Sequence, residues 1–256
     1  MNITLDLRCG VSGDMLLGAM IQYYSASHDP SWILSDLSEA ASIISETRVG
    51  FSTIDRHGRP AGRLEVKWKA DYDRIRGDRL VGYLRRAFES SGIGRTGREI
   101  SEKVMRRILD AESIVHIVRD PLEVHLHETG TPDTIVDVMG IGLMYETLEM
   151  DGAWIQSTPI SLGYGEVVTA HGRLQVPAPA VRVMMRDIPV RSGPVLGELA
   201  TPSGVAAALV MSEIWLDDRS GGDTSVLPGH VVGSGAGKRE YPPPFRNALD
   251  IYVEDG

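Results

Sequence analysis

The sequence is short of cysteine, of aromatics and of long apolar runs, and each shortage excludes something. A single cysteine, Cys9, cannot build an intrachain disulfide framework, which points to a reducing compartment. No stretch approaches the roughly 20 apolar residues needed to span a bilayer. The opening MNITLDLRCG lacks a basic segment followed by an apolar run, so no secretory signal is expected. The expected location is the cytoplasm, with no membrane partner. Aromatics make up 6% of the chain and do not interleave with the basic side chains, which argues against nucleic-acid binding.

What is present fits an ordinary globular chain of 256 residues, 42% hydrophobic and 24% charged. That length allows one region over 1–256, with subdomains near 1–120 and 121–256. Net charge is −9, unevenly spread: residues 56–107 hold 15 Lys and Arg against 7 Asp and Glu. A basic middle in an acidic protein can greet a phosphate-bearing ligand, and solvated helix faces explain it equally. The sequence leaves the oligomeric state open, a homo-oligomer included.

The pattern predicts a strand at 3–7, a glycine-bearing turn and a helix capped by Ser12. A second helix is expected over 32–44 and a hairpin over 48–70. Two polar-faced helices follow over 76–119, split at SGIGRTG. Thr131 before Pro132 predicts an N-cap with proline at the first helical position, and ATPSG at 200–204 repeats that start. Strands are expected at 153–160, 165–170 and near both ends of 229–253, with 217–229 a charged, glycine-rich loop. The fold class is α/β with mixed α+β layers: a mixed sheet with helices packed on it.

Chemistry concentrates in EVHLHETGTPDTIVDVMG, residues 123–140. An extended HLHE puts His125 and His127 on one face, since side chains alternate with period two. Two imidazoles near carboxylates suit a borderline divalent metal such as nickel or zinc, and equally describe a surface pair. Asp133 and Asp137 share one helix face. Asp133 answers the helix dipole, whereas Asp137 sits among apolar residues and needs a partner: a metal, a histidine or an arginine. Asp14 opens the first helix, where the amides of Ser12 and Gly13 face an anion or the carboxylate simply offsets the dipole. His171, between a strand and a glycine, occupies a loop position from which a side chain reaches a site. GSGAGKRE at 233–240 fails both the Walker and the G-x-G-x-x-G spacings, though Lys238 and Arg239 can hold a phosphate or carboxylate. Cys9 reads as a small buried hydrophobe or as a thiol activated beside Arg8.

Taken in order, D-x-x-x-GVSGDM, HLHETGTPDTIVDVMG, SLGYGEVVTAHGRLQVPAPA, ELATPSG and GSGAGKREYPPP resemble the LarC family from Asp6 to about Val253. LarC proteins insert nickel during maturation of the lactate racemase cofactor. The resemblance implies a lyase-class cyclometallase. It inserts Ni²⁺ into pyridinium-3,5-bisthiocarboxylic acid mononucleotide, forming two nickel–sulfur bonds and one nickel–carbon bond. CTP with Mn²⁺ or Mg²⁺ is consumed.

Under that reading His125, His127, Asp137 and His171 are the expected nickel ligands, since imidazoles and carboxylates release metal more readily than a thiolate cage. Glu128 or His171 is the expected base for the ring proton. Ser12, Gly13, Asp14, Lys238 and Arg239 are expected at the substrate's phosphate. Full-length members carry a further C-terminal domain associated with CTP, so a separately encoded second half is an expected partner. The alternative is a nickel carrier or partner subunit without chemistry of its own.

Overall fold

The computed structural model describes residues 1–69, 75–127, 129–169, 172–186, 188–193, 195–216 and 226–254. Its order is β1 (Asn2–Asp6), α1 (Gly13–Ser25), α2 (Ser31–Ser42), β2 (Thr47–Asp55), β3 (Pro60–Trp68), β4 (Ile75–Arg76), α3 (Gly77–Glu89) and α4 (Arg95–Val115). Then come β5 (His125–Leu126), α5 (Pro132–Thr147), β6 (Trp154–Ser157), β7 (Ile160–Ser161), β8 (Gly163–Tyr164), β9 (Glu166–Thr169), β10 (Gly172–Gln175) and α6 (Pro179–Met184). The chain closes with β11 (Val190–Arg191), β12 (Gly197–Glu198), α7 (Pro202–Met211), β13 (Ile214–Trp215), β14 (His230–Ala236) and β15 (Ala248–Glu254). Of the expected loop 217–229, residues 217–225 lie outside the described residues.

A seven-stranded mixed sheet in the order β13-β6-β1-β15-β14-β3-β2 organises the molecule. β1 runs parallel to β6 and antiparallel to β15, and the hairpin β2–β3 pairs from Thr47↔Trp68 to Asp55↔Pro60. The sheet draws strands from both halves of the chain, so the two halves share one sheet. Alternation sorts its faces. Ile3 and Leu5 pair with Val253 and Ile251, all buried, while Thr4 and Asp6 pair with Tyr252 and Asp250 on the other face.

Helix α1 lies on the sheet against β14 and β3, α5 packs behind α1, and α4 behind α5. Glycine makes the first contact possible. A methyl on Gly235 would overlap the Met15 carbonyl, and one on Gly233 would overlap that of Ala19. The glycines expected as a loop at 233–240 thus begin as β14, and their missing side chains admit a helix rather than a phosphate. Helix α5 is buried on all sides from Thr134 to Met144. That is why it reads as continuously apolar, and why a carboxylate inside it is unusual.

Candidate functional site

The N-termini of α1, α5, α6 and α7 meet one cavity of about 510 Å³, whose polar lining includes Ser12 and Asp14 of α1, Asp133 and Asp137 of α5, and Thr201 and Ser203 of α7. Lys238, just past β14, stands at its rim. Another wall comes from the C-terminal end of α4, with Glu112 and His116, and from His127 and Thr129 beyond β5. The volume suits a mononucleotide-sized ligand.

Asp137 is the unusual group. It is only 8% exposed, and its hydrogen bond comes from the neutral Ser203 hydroxyl at 2.7 Å. Asp250 is equally buried but meets Arg246 Nη1 at 2.6 and 2.8 Å and Arg59 at 3.2 Å. Among the described side chains the hydrogen-bonding partner of Asp137 is therefore a serine, not a histidine or an arginine. Burial pushes its pKa well above the ordinary range, the Asp14 charge adds to this, and Ser203 opposes both. A displaced carboxyl pKa inside a cleft is a physical mark of a working group.

The other carboxylates are better provided for. Asp133 accepts from the Trp68 indole N–H and from Lys238 Nζ at 3.4 Å. Asp14 accepts from the Ser12 hydroxyl and from the Met15 amide at 3.1 Å. Burial draws the Lys238 pKa down, but Asp14, Asp133 and Asp137 together outweigh it and raise it. One cation thus faces three carboxylates.

The profile of the family described as nickel insertion protein matches residues 3–256. The chain belongs to that family. It is 30% identical over 254 residues to a protein of Synechocystis, covering 97% of this chain and 57% of that one. It is 31% identical to one of Dictyoglomus thermophilum (97% and 59%) and 32% identical to one of Methanothermobacter thermautotrophicus (96% and 57%). Each carries the name "Putative nickel insertion protein". The chain therefore spans less than two thirds of their length. No solved structure matches it. The LarC resemblance read from the motifs and this family coincide.

Of the expected site residues, Ser12, Asp14, His127, Asp137 and Lys238 come together around the cavity. Arg239 lines an adjoining depression that shares Ser12, Asp14 and Lys238 with it. His125 does not join them: β5 ends at Leu126, and His125 is exposed opposite Arg76. The two-residue alternation therefore stops before His127, and the imidazoles part. Gly13 serves a close approach, since a methyl there would overlap the Asp137 carboxylate. A phosphate at the start of α1 would meet Asp14 and Asp137, which leaves Lys238 and Arg239 as the better anion donors. Glu128 and His171 lie outside the described residues.

Sequence reasoning passed over Glu112, His116, Thr129 and Ser203. The first two carried a signal, E-x-x-x-H in the last turn of a predicted helix, which sets both side chains on one face. Ser203 follows the second Thr-Pro start and so belongs to a first helical turn.

Cys9 is half-buried, with its thiol pKa pushed up by burial and then by Asp6, as suits a packing residue. Among the described residues no helix is long and apolar enough to cross a membrane.

Proposed function

We propose that this chain supplies the metal-inserting site that converts pyridinium-3,5-bisthiocarboxylic acid mononucleotide and Ni²⁺ into the nickel-pincer nucleotide, as in LarC-type cyclometallases. The observation that carries this reading is the chemical division of the cavity. Lys238 stands at one rim, with Arg239 in the adjoining depression, both suited to the substrate's phosphate. Carboxylates and imidazoles suited to a divalent metal line the walls.

Forming the nickel–carbon bond releases a ring proton, which needs an acceptor. Asp137 is the described group best suited to it, because burial raises its proton affinity. Glu128 and His171 remain expected bases on sequence grounds, as does a metal-binding role for His171. The neighbouring Ser203 hydroxyl orients the Asp137 carboxylate.

CTP with Mn²⁺ or Mg²⁺ does not fit the described residues. Gly233 and Gly235 are pressed against α1, so the glycine run of β14 offers no phosphate loop. We assign CTP to a part of the system outside these residues, joined to the chain or separately encoded.

The test is a nickel-insertion assay with the sulfurated pyridinium mononucleotide, Ni²⁺ and Mn·CTP, read by product mass. It is run with and without an added CTP-binding C-terminal part from a relative. Product on complementation is expected. Bound nickel without product in either arm would overturn the insertion reading in favour of a nickel carrier.

A further inference from the structure

We propose that Glu112, His116 and His127 form the station where incoming nickel is first held, on the cavity wall opposed in charge character to the Lys238 rim. This rests on the reading of nickel as the metal this chain handles. It shifts the metal from the H-x-H pair of the sequence to a trio that only the fold assembles.

Geometry is the first support. Glu112 and His116 sit one turn apart at the end of α4, with His116 Nε2 3.6 Å from Glu112 Oε2. Two donor atoms about 2.1 Å from one metal stand about 3.4 Å apart at the tetrahedral angle. The His116 and His127 rings are 6.0 Å apart between centroids and tilted by 31°. Two imidazoles on one metal have centroids roughly 5–6 Å apart by the same bond lengths. As they lie, no three such side chains among the described residues are placed to hold a metal ion, so the station requires side-chain rotation that brings the trio together around the ion.

The surroundings supply a second, independent support. Thr129 Oγ1 donates to Glu112 Oε1 at 3.0 Å, orienting the carboxylate while Oε2 faces His116. Such outer hydrogen bonds are how proteins fix metal-binding carboxylates. His116 is the C-cap of a 21-residue helix whose last turn holds no basic residue. The negative end of the α4 dipole therefore faces the site.

The acidic trio across the cavity is the poorer holder of a free metal, because Asp133 and Asp137 lie in the first turns of a helix and Lys238 stands beside them. Two imidazoles and one carboxylate suit nickel without thiolate and leave coordination positions open, so the metal can be passed on.

The experiment measures Ni²⁺ binding to the intact chain, free of any histidine tag, by equilibrium dialysis, with X-ray absorption counting the imidazoles bound. His116→Gln is the principal variant, because its ring is partly exposed. His127→Gln and Glu112→Gln accompany it, with His125→Gln as the rival and His28→Gln as a surface control. The expected result is at least about tenfold weaker binding in His116→Gln and His127→Gln, with fewer imidazoles on the metal. Unchanged affinity in His116→Gln, a loss confined to His125→Gln, or no nickel binding by the wild type would each overturn the station. The insertion reading fails separately. Product formation with unaltered nickel binding in His116→Gln would keep insertion and remove the station. His116-dependent binding without product on complementation would do the reverse.

Discussion

Replacing Asp137 by asparagine removes one charge from the interior with little change of shape. In the folded chain burial, reinforced by Asp14, holds the Asp137 pKa well above its ordinary value. In the unfolded chain the same group titrates near about 3.9. Between those two values the native state binds more protons than the unfolded state, so its stability falls as pH rises. Below the unfolded value both states are protonated and the contribution is fully present. Asparagine keeps an acceptor oxygen for Ser203 and carries no charge at any pH. Asp137→Asn should therefore resemble the wild type near the acidic end and exceed it in stability by pH 8. An imperfectly compensated buried polar group costs about 1–3 kcal/mol. For a chain of this size each kcal/mol shifts Tm by roughly 2–4 °C, which gives a gain of several degrees. Thermal unfolding followed by circular dichroism from pH 5 to 8.5 measures it. Asp14→Asn should reproduce part of the gain, and the double variant should fall short of the sum because the two carboxylates interact. A difference independent of pH, or an asparagine variant less stable than wild type at pH 8, would refute the reasoning.

Two further outcomes follow from the packing and from the rim. Gly235→Ala drives a methyl into the Met15 carbonyl at the α1–β14 contact. It should lower stability by about 1–3 kcal/mol in denaturant titrations, and an unchanged midpoint would show that the strand has room to yield. Lys238→Met removes the ammonium facing Asp133, so the pyridinium mononucleotide should bind about tenfold more weakly, roughly 1.4 kcal/mol, in calorimetry. Equal affinity would move the phosphate elsewhere.

Much of the architecture was legible in the chain because local rules govern it. The Thr-Pro starts at 131–132 and 201–202 opened α5 and α7, and the broken alternation of 48–70 became the β2–β3 hairpin. Ser12 stands at the N-cap of α1 as expected, although its hydroxyl turns to Asp14 instead of capping an amide. The motifs likewise pointed to the family whose profile matches residues 3–256.

Tertiary structure alone decided which of the polar residues meet. The period-two rule that joined His125 to His127 holds only while the strand lasts, and β5 is two residues long. His116 and His127 are brought together by α4 packing against α5, and Lys238 reaches Asp133 across 105 positions of sequence. The glycines of β14 looked like a phosphate loop because glycine marks any close approach of backbone, and only the fold says that α1 is what approaches. Sequence sets what each segment prefers by itself. Which side chains face one another across a cavity depends on the directions in which packed elements point, and no single segment encodes that.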